Sequence, residues 1–156
     1  MDAYLSLKSL HILSSILLFG TGLGSAFYKY FSDRTGNIAA IAVTNRLVVL
    51  ADWLFTTPTV MIQPITGVLL LQTIGISWRE PWVLTSLVLY AIAGSCWLPV
   101  VWLQIRMRDI SSAACAAGEP LSDLYHRHKR VWFWLGVPAF MCMVSVVVLM
   151  VFRPDF

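Results

Sequence analysis

One histidine within an apolar stretch is the residue of this sequence best suited to chemistry. His11 lies about seven residues, or roughly 10 Å, from the outer end of the first apolar stretch. An ionisable group at such depth in a bilayer is costly and commonly functional. Two interpretations stay open: His11 bonds a hydroxyl or carbonyl group of a neighbouring helix, or it binds a ligand.

The second apolar stretch carries polar residues on a single helical face. Their spacings are four, three, four and three, which puts all of them on one side of a helix. A polar face is costly in lipid, so we expect it to point into the bundle, where it forms hydrogen bonds between helices or lines a wet path. For the threonines we expect hydrogen bonds. The face consists of Asp52, Thr56, Thr59, Gln63 and Thr66.

Asp52 belongs to this face and lies about two turns from one end of its helix. Arginine side chains can reach back from a membrane interface to a buried partner. We therefore expect Asp52 to form a structural ion pair with Arg46, Arg106 or Arg130, with a functional role as the alternative.

Three further side chains lie at about the depth of His11 on the other predicted helices. Together with His11 they predict a cofactor pocket in one half of the bilayer, lined by His11, Gln63, Tyr90 and Met143. A zinc or di-iron site needs a cluster of histidine, cysteine and carboxylate groups, whereas haem can be held by one histidine. His11 could therefore hold a haem as its single protein ligand. Together with the family resemblances given below, this predicts haem b or a related porphyrin, with His11 as the metal ligand, and an electron-transfer or oxidoreductase role. It assigns no catalytic residue.

The elements that must position these residues are four membrane-spanning helices. Of the 156 residues, 58% are hydrophobic and 12% are charged. Four apolar stretches are each long enough to cross a hydrocarbon core of about 30 Å. Backbone groups in lipid must bond internally, so the stretches are helical, and the alternation expected of a β-barrel is missing from the sequence.

The fold class is therefore an all-α antiparallel four-helix bundle, and residues 1–156 form a single membrane domain. Residues 1–26 could pass for a signal peptide, but the apolar run is long for one and predicts a retained helix. The spans are predicted at about 4–29, 46–74, 81–105 and 131–152, with bends at Pro58 and Pro64.

Lysine and arginine residues indicate the orientation. Eight of the eleven lie at the ends of the first and third spans and in the loops that follow them, and Lys8, Arg79 and Arg153 lie on the other side. Positive loops stay in the cytoplasm, so both termini are predicted to face outward across a bacterial inner membrane. The basic residues form no stripe of the kind that binds nucleic acid.

Gly20 and Gly24 are four residues apart on the side of the first helix opposite His11. This spacing permits close approach of another helix and predicts a homo-oligomer. A haem protein would also need a membrane redox partner. The alternative is a non-catalytic membrane subunit, or a transporter with a polar path along the second span.

Several short segments resemble a bacterial family of predicted integral membrane proteins, and the similarity covers nearly the whole chain. They are Lys8–Ile12, Thr56–Pro58, Pro81–Trp82, Gln104–Met107, Trp132 with Gly136–Ala139, and Leu149–Met150 with Arg153–Pro154. This resemblance implies a small multi-pass membrane protein.

The first two spans also resemble, more distantly, the J-type membrane protoporphyrinogen oxidases. In that family a Lys-x-x-His-Ile segment supplies a haem ligand and a Thr-Thr-Pro segment follows. The resemblance implies that His11 is an axial haem ligand. That family also has a lysine near the outer start of its third helix, where this chain has Thr85 and Ser86.

Overall fold

A computed structural model of the chain describes residues 3–154. Within that range every regular element is helical, and four helices are long and apolar enough to cross a membrane. The all-α, four-span prediction is confirmed. Residues 1, 2, 155 and 156 of the predicted domain lie outside the described part. The helices are α1 (Ala3–Thr35), α2 (Ile38–Ala51), α3 (Thr57–Thr73), α4 (Pro81–Ala117) and α5 (Asp123–Phe152), with a π-helical turn at Asp52–Thr56 joining α2 to α3.

Local capping explains why the helices extend beyond the predicted spans. Asn37 begins α2 by accepting a hydrogen bond from the Ala40 amide, and Ser122 begins α5 in the same way through the Tyr125 amide. At the other end of α4, Gly118 adopts a φ of 67°, which closes the helix in the left-handed region that glycine tolerates. The segments before Arg46, after Ile105 and before Val131, which lie outside the predicted spans, are thus continuous with the membrane-spanning helices.

The π turn lies immediately before a proline. Proline lacks an amide hydrogen, and its ring conflicts with the carbonyl four residues earlier, which for Pro58 is that of Leu54. The Thr57 amide instead reaches the Asp52 carbonyl, a five-residue step that widens the helix. The second span therefore runs from Ile38 to Thr73 as one irregular helix.

The helices pack as two pairs that join at one end of the bundle. Helices α4 and α5 form an antiparallel hairpin, α1 packs on α3 and α2, and α2 packs on α4. The buried apolar core lies at the end where α1 finishes and α5 begins, and it consists of Ile41, Val100, Leu103, Met107, Tyr125 and Trp132. Helices α1 and α5 share few contacts, and a cavity that borders this core at Val100 and Trp132 remains between the pairs.

The outer surface of the bundle is strongly apolar. Large side chains such as Leu13, Ile16, Met61 and Val151 are more than half exposed. A surface of this kind is unfavourable in water and suits contact with lipid chains. Polar side chains such as Lys29, Asp52 and Gln63 lie in the interior beside the apolar core.

Candidate functional site

His11 contacts the second span through its ring. Its Nδ1 atom lies 2.7 Å from Oγ1 of Thr66, and its Cε1 atom would lie 3.6 Å from a Cβ placed on Gly67. The Thr66 hydroxyl donates its own hydrogen to the Ile62 carbonyl at 2.7 Å. With the Thr66 hydroxyl bonded to this carbonyl, the neutral imidazole that carries its proton on Nδ1 satisfies both groups and has its lone pair on Nε2.

The backbone of His11 is also held from the second span. Nε2 of Gln63 donates to the His11 carbonyl at 2.8 Å and to Oγ of Ser14 at 2.6 Å, and Ser14 in turn donates to the same carbonyl at 3.0 Å. The amide nitrogen of Gln63 is thus fully used in joining α1 to α3. It positions His11 and leaves no donor for a ligand.

The polar face of the second span points into the bundle, as its spacing predicts. All five members are buried, from Asp52 to Thr66. The hydroxyl of Thr59 bonds the Phe55 carbonyl at 2.6 Å, and that of Thr56 donates to Oδ1 of Asp52 at 2.9 Å. Thr56 and Thr59 thus bond groups of their own helical turn, whereas Gln63 and Thr66 of the same face bond α1 and join the two helices.

Asp52 does not form the expected ion pair. Within the described residues it accepts a hydrogen bond from Thr56, the side chain of Gln104 lies beside it, and no arginine lies within salt-bridge distance. Arg46 and Arg106 are exposed, and the guanidinium of Arg106 lies over the ring of Trp102, 5.5 Å from its centroid. These arginines face the interface, so a buried carboxyl is matched with neutral partners instead.

The predicted pocket residues divide between two places. Tyr90 and Met143 line the cavity between the helix pairs, whereas His11 and Gln63 are not among its lining residues. The reason is that α1 turns His11 toward α3, and the hydrogen bonds to Thr66 and Ser14 hold both side chains there. Equal depth brought these residues to one level of the bundle but not to one pocket.

The cavity has a volume of about 340 Å³ and is lined mainly by apolar side chains of α1, α4 and α5. Its polar groups include Asp52, Thr56 and Gln104 at one end and Tyr90 at the other. The Tyr90 hydroxyl donates to the Val60 carbonyl and so links α4 to the second span. This size falls within the range of small-molecule pockets, roughly 300–1,000 Å³.

A buried polar cluster, which the sequence analysis did not predict, lies at the end of the bundle where α1 finishes. Lys29 is 1% exposed, and its ammonium group donates to Asp33 at 3.2 Å, to Asn45 at 2.7 Å and to the Tyr125 hydroxyl at 3.2 Å. Asn45 reaches Ser111 at 3.0 Å. The four-residue spacing of Lys29 and Asp33 was the available signal, since it places a lysine and an aspartate on one helix face.

No cluster of three or more histidine, cysteine or carboxylate residues that could hold a metal ion occurs in the described part of the chain. A multi-ligand zinc or di-iron site is therefore not formed by these side chains. His11 remains the intramembrane residue with an available imidazole lone pair.

A family model described as "Predicted integral membrane protein (DUF2269)" matches residues 5–154. The chain belongs to this family. No curated protein and no solved structure matches it. Family membership and the four apolar helices together show that the protein is an integral membrane protein in contact with a lipid bilayer.

Proposed function

We propose that this membrane protein binds haem b, or a related metalloporphyrin, through Nε2 of His11 and uses it in electron transfer. The observation that carries the proposal is the hydrogen bond from His11 Nδ1 to Thr66. Metal-bound histidines nearly always donate their second ring nitrogen to a fixed acceptor, which sets the tautomer and the ring orientation. His11 has this arrangement before any metal is present.

The accessibility of Nε2 supports the same proposal. Nε2 forms no hydrogen bond to a described residue, and it is not enclosed by the protein, because His11 is only partly buried. A lone pair in lipid without a donor is unfavourable, and coordination of a metal would satisfy it. Gly67 leaves room beside the ring, since even an added Cβ would make only ordinary contact with Cε1.

In this proposal each residue has a limited task. His11 would hold the haem through Nε2, Thr66 orients its ring, and Gln63 and Ser14 fix the backbone that carries it. When bound, the haem supplies a reversible one-electron couple whose potential depends on the axial ligand and its surroundings. Tyr90 and Met143 would not contribute directly, because they line the separate cavity.

A second copy of the chain could supply a second histidine to the same haem, because two His11 residues related by a twofold axis would lie at equal depth and could meet. An alternative homo-oligomer through Gly20 and Gly24 would use the opposite side of α1, where a Cβ on either glycine meets nothing within 4 Å. The two arrangements use different faces of α1 and are distinguishable.

The test is the absorption spectrum of protein purified in detergent from haem-replete cells. Wild type is expected to show a Soret band, His11→Ala to lose it, and Thr66→Val to retain less haem than Thr66→Ser, which keeps the hydroxyl. His126→Ala is the matched control, because His126 is exposed near the start of α5. A colourless wild-type preparation would refute the proposal.

The alternative role is that of a non-catalytic subunit, and the internal bonding of the polar face favours it over a transporter. Thr56, Thr59, Gln63 and Thr66 all bond groups of the protein itself. Cysteines placed at Thr59 and Gln63 are expected to resist water-soluble thiol reagents from both sides. Reaction at both positions would instead support a transport path.

A further inference from the structure

The cavity between the helix pairs contains polar atoms that have no partner. Oε1 of Gln104 and Nε1 of Trp97 are both enclosed and make no hydrogen bond to a described residue, and both residues line the cavity. Gln104 is only 6% exposed. Leaving a buried acceptor unpaired costs about 1–3 kcal/mol, so a ligand that supplies the missing hydrogen-bond partners would be favoured.

The positions of these residues along α4 indicate where a ligand would need its hydrogen-bonding groups. Tyr90, Trp97 and Gln104 follow one another at seven-residue intervals, so they share a face and span about 20 Å of helix axis. The lone pair of Gln104 needs a donor, and the indole N–H of Trp97 needs an acceptor nearer the middle of the cavity. The remaining wall is apolar and suits a hydrocarbon chain.

The polar group of a ligand that binds at this end of the cavity should carry no negative charge. Asp52 lines the polar end beside Gln104, and no lysine or arginine lines the cavity. An anionic head would be buried beside a carboxyl group without a cation to pair with it, which is strongly unfavourable. Hydroxyl groups can instead donate to Gln104 and Asp52 at no electrostatic cost.

Glycines on three helices create the space. Gly22 of α1, Gly94 of α4 and Gly136 of α5 line the cavity, and a Cβ added to any of them meets nothing within 4 Å. Leu23 and Met141, also on its wall, are more than half exposed. The cavity is therefore open to the surrounding lipid between α1 and α5, and a chain-bearing molecule can enter from the bilayer.

We infer that this cavity binds a neutral single-chain lipid whose head group has terminal hydroxyl donors and an acceptor oxygen next to the chain, as a monoacylglycerol has. A hydroxyl donates to Oε1 of Gln104, the acceptor oxygen receives the N–H of Trp97, and the chain extends toward Tyr90. The site is separate from His11, which does not line the cavity. Its occupancy therefore does not depend on haem.

The experiment uses a monoacylglycerol with a photoreactive diazirine in its acyl chain and the full chain in detergent. Saturable labelling on α1, α4 and α5 is expected. Unlabelled monopalmitoylglycerol should compete about tenfold better than methyl palmitate, which has no hydroxyl donor, because one hydrogen bond of about 1.4 kcal/mol gives that ratio. In Gln104→Leu, monopalmitoylglycerol and methyl palmitate should compete about equally. Equal competition by the two lipids in wild type, or stronger competition by hexadecylamine, would overturn the assignment.

Filling the cavity gives an independent test with a matched control. Gly94→Leu and Gly136→Leu are expected to lower labelling at least about fivefold, because their side chains occupy the open space. Gly20→Leu makes the same change on a glycine that does not line the cavity and has equally open surroundings. Undiminished labelling in folded Gly94→Leu and Gly136→Leu would place the bound lipid elsewhere.

Discussion

At the scale of single residues, the buried lysine shows how a charge is stabilised inside this bundle. The Lys29 ammonium group contacts Asp33, Asn45 and the Tyr125 hydroxyl, and it lies 5.3 Å from the ring centroid of Tyr125 and 5.4 Å from that of Trp132. These contacts offset most of the free-energy cost of removing the ammonium group from water. Tyr125 is central because its hydroxyl also donates to Asp33.

Tyr125→Phe should lower the free energy of unfolding by about 2–3 kcal/mol, since hydrogen bonds to charged groups contribute roughly 1.5–3 kcal/mol each and no new partner replaces the hydroxyl. Denaturant unfolding in detergent micelles would measure this change. Tyr28→Phe is the control, because Tyr28 is 68% exposed and lies one residue from Lys29. Equal effects of the two substitutions would contradict a central role for the Tyr125 hydroxyl.

Thr66 supports a second prediction at this scale. Thr66→Val preserves shape but removes the acceptor of His11 Nδ1–H, so the apoprotein should lose about 1 kcal/mol of stability. Thr66→Ser should restore most of it. Thermal unfolding of haem-free protein in detergent separates this structural effect from cofactor binding, and a fully stable Thr66→Val protein would show that the bond is not formed.

At the scale of the helices, length and hydropathy were enough to predict the four spans, because a bilayer imposes both on any crossing helix. The period of the second span also predicted its inward polar face. The predicted span bounds did not give the full helix lengths, because residues such as 38–45 and 106–117 continue the helices, the first of these segments through capping at Asn37. The sequence also did not show that His11 and Tyr90 belong to different sites, because depth along a helix does not fix the direction in which a side chain points.

The end of α4 gives a prediction for a single element. Gly118 has a φ of 67°, and the Glu119 amide bonds the Ala114 carbonyl at 3.0 Å, which closes the helix. Gly118→Ala should cost about 1 kcal/mol because a Cβ disfavours this conformation. Gly118→Asn should cost less, since asparagine tolerates it better. Comparable thermal stability of the alanine variant and wild type would argue against this helix end.

At the scale of the whole molecule, two helix pairs join at one end and separate at the other. The polar cluster and the apolar core both lie at the joined end, so this end should be rigid. The cavity extends from this core toward the separated end, where His11 contacts α3. Under both proposals a ligand would therefore bind beyond the polar cluster, where fewer contacts join the helix pairs.

The orientation of the bundle in the membrane follows from charge and can be read with a native cysteine. Cys115 is exposed near the end of α4, on the side predicted to face the cytoplasm, whereas Cys96 and Cys142 lie half-buried within spans. In spheroplasts, a membrane-impermeant maleimide should label Cys115 only after permeabilisation. Ser77→Cys, made in a Cys115→Ser background, should react without permeabilisation, because Ser77 is exposed in the turn before α4. The reverse pattern would place both termini in the cytoplasm and move the cavity mouth and His11 to the inner half of the bilayer.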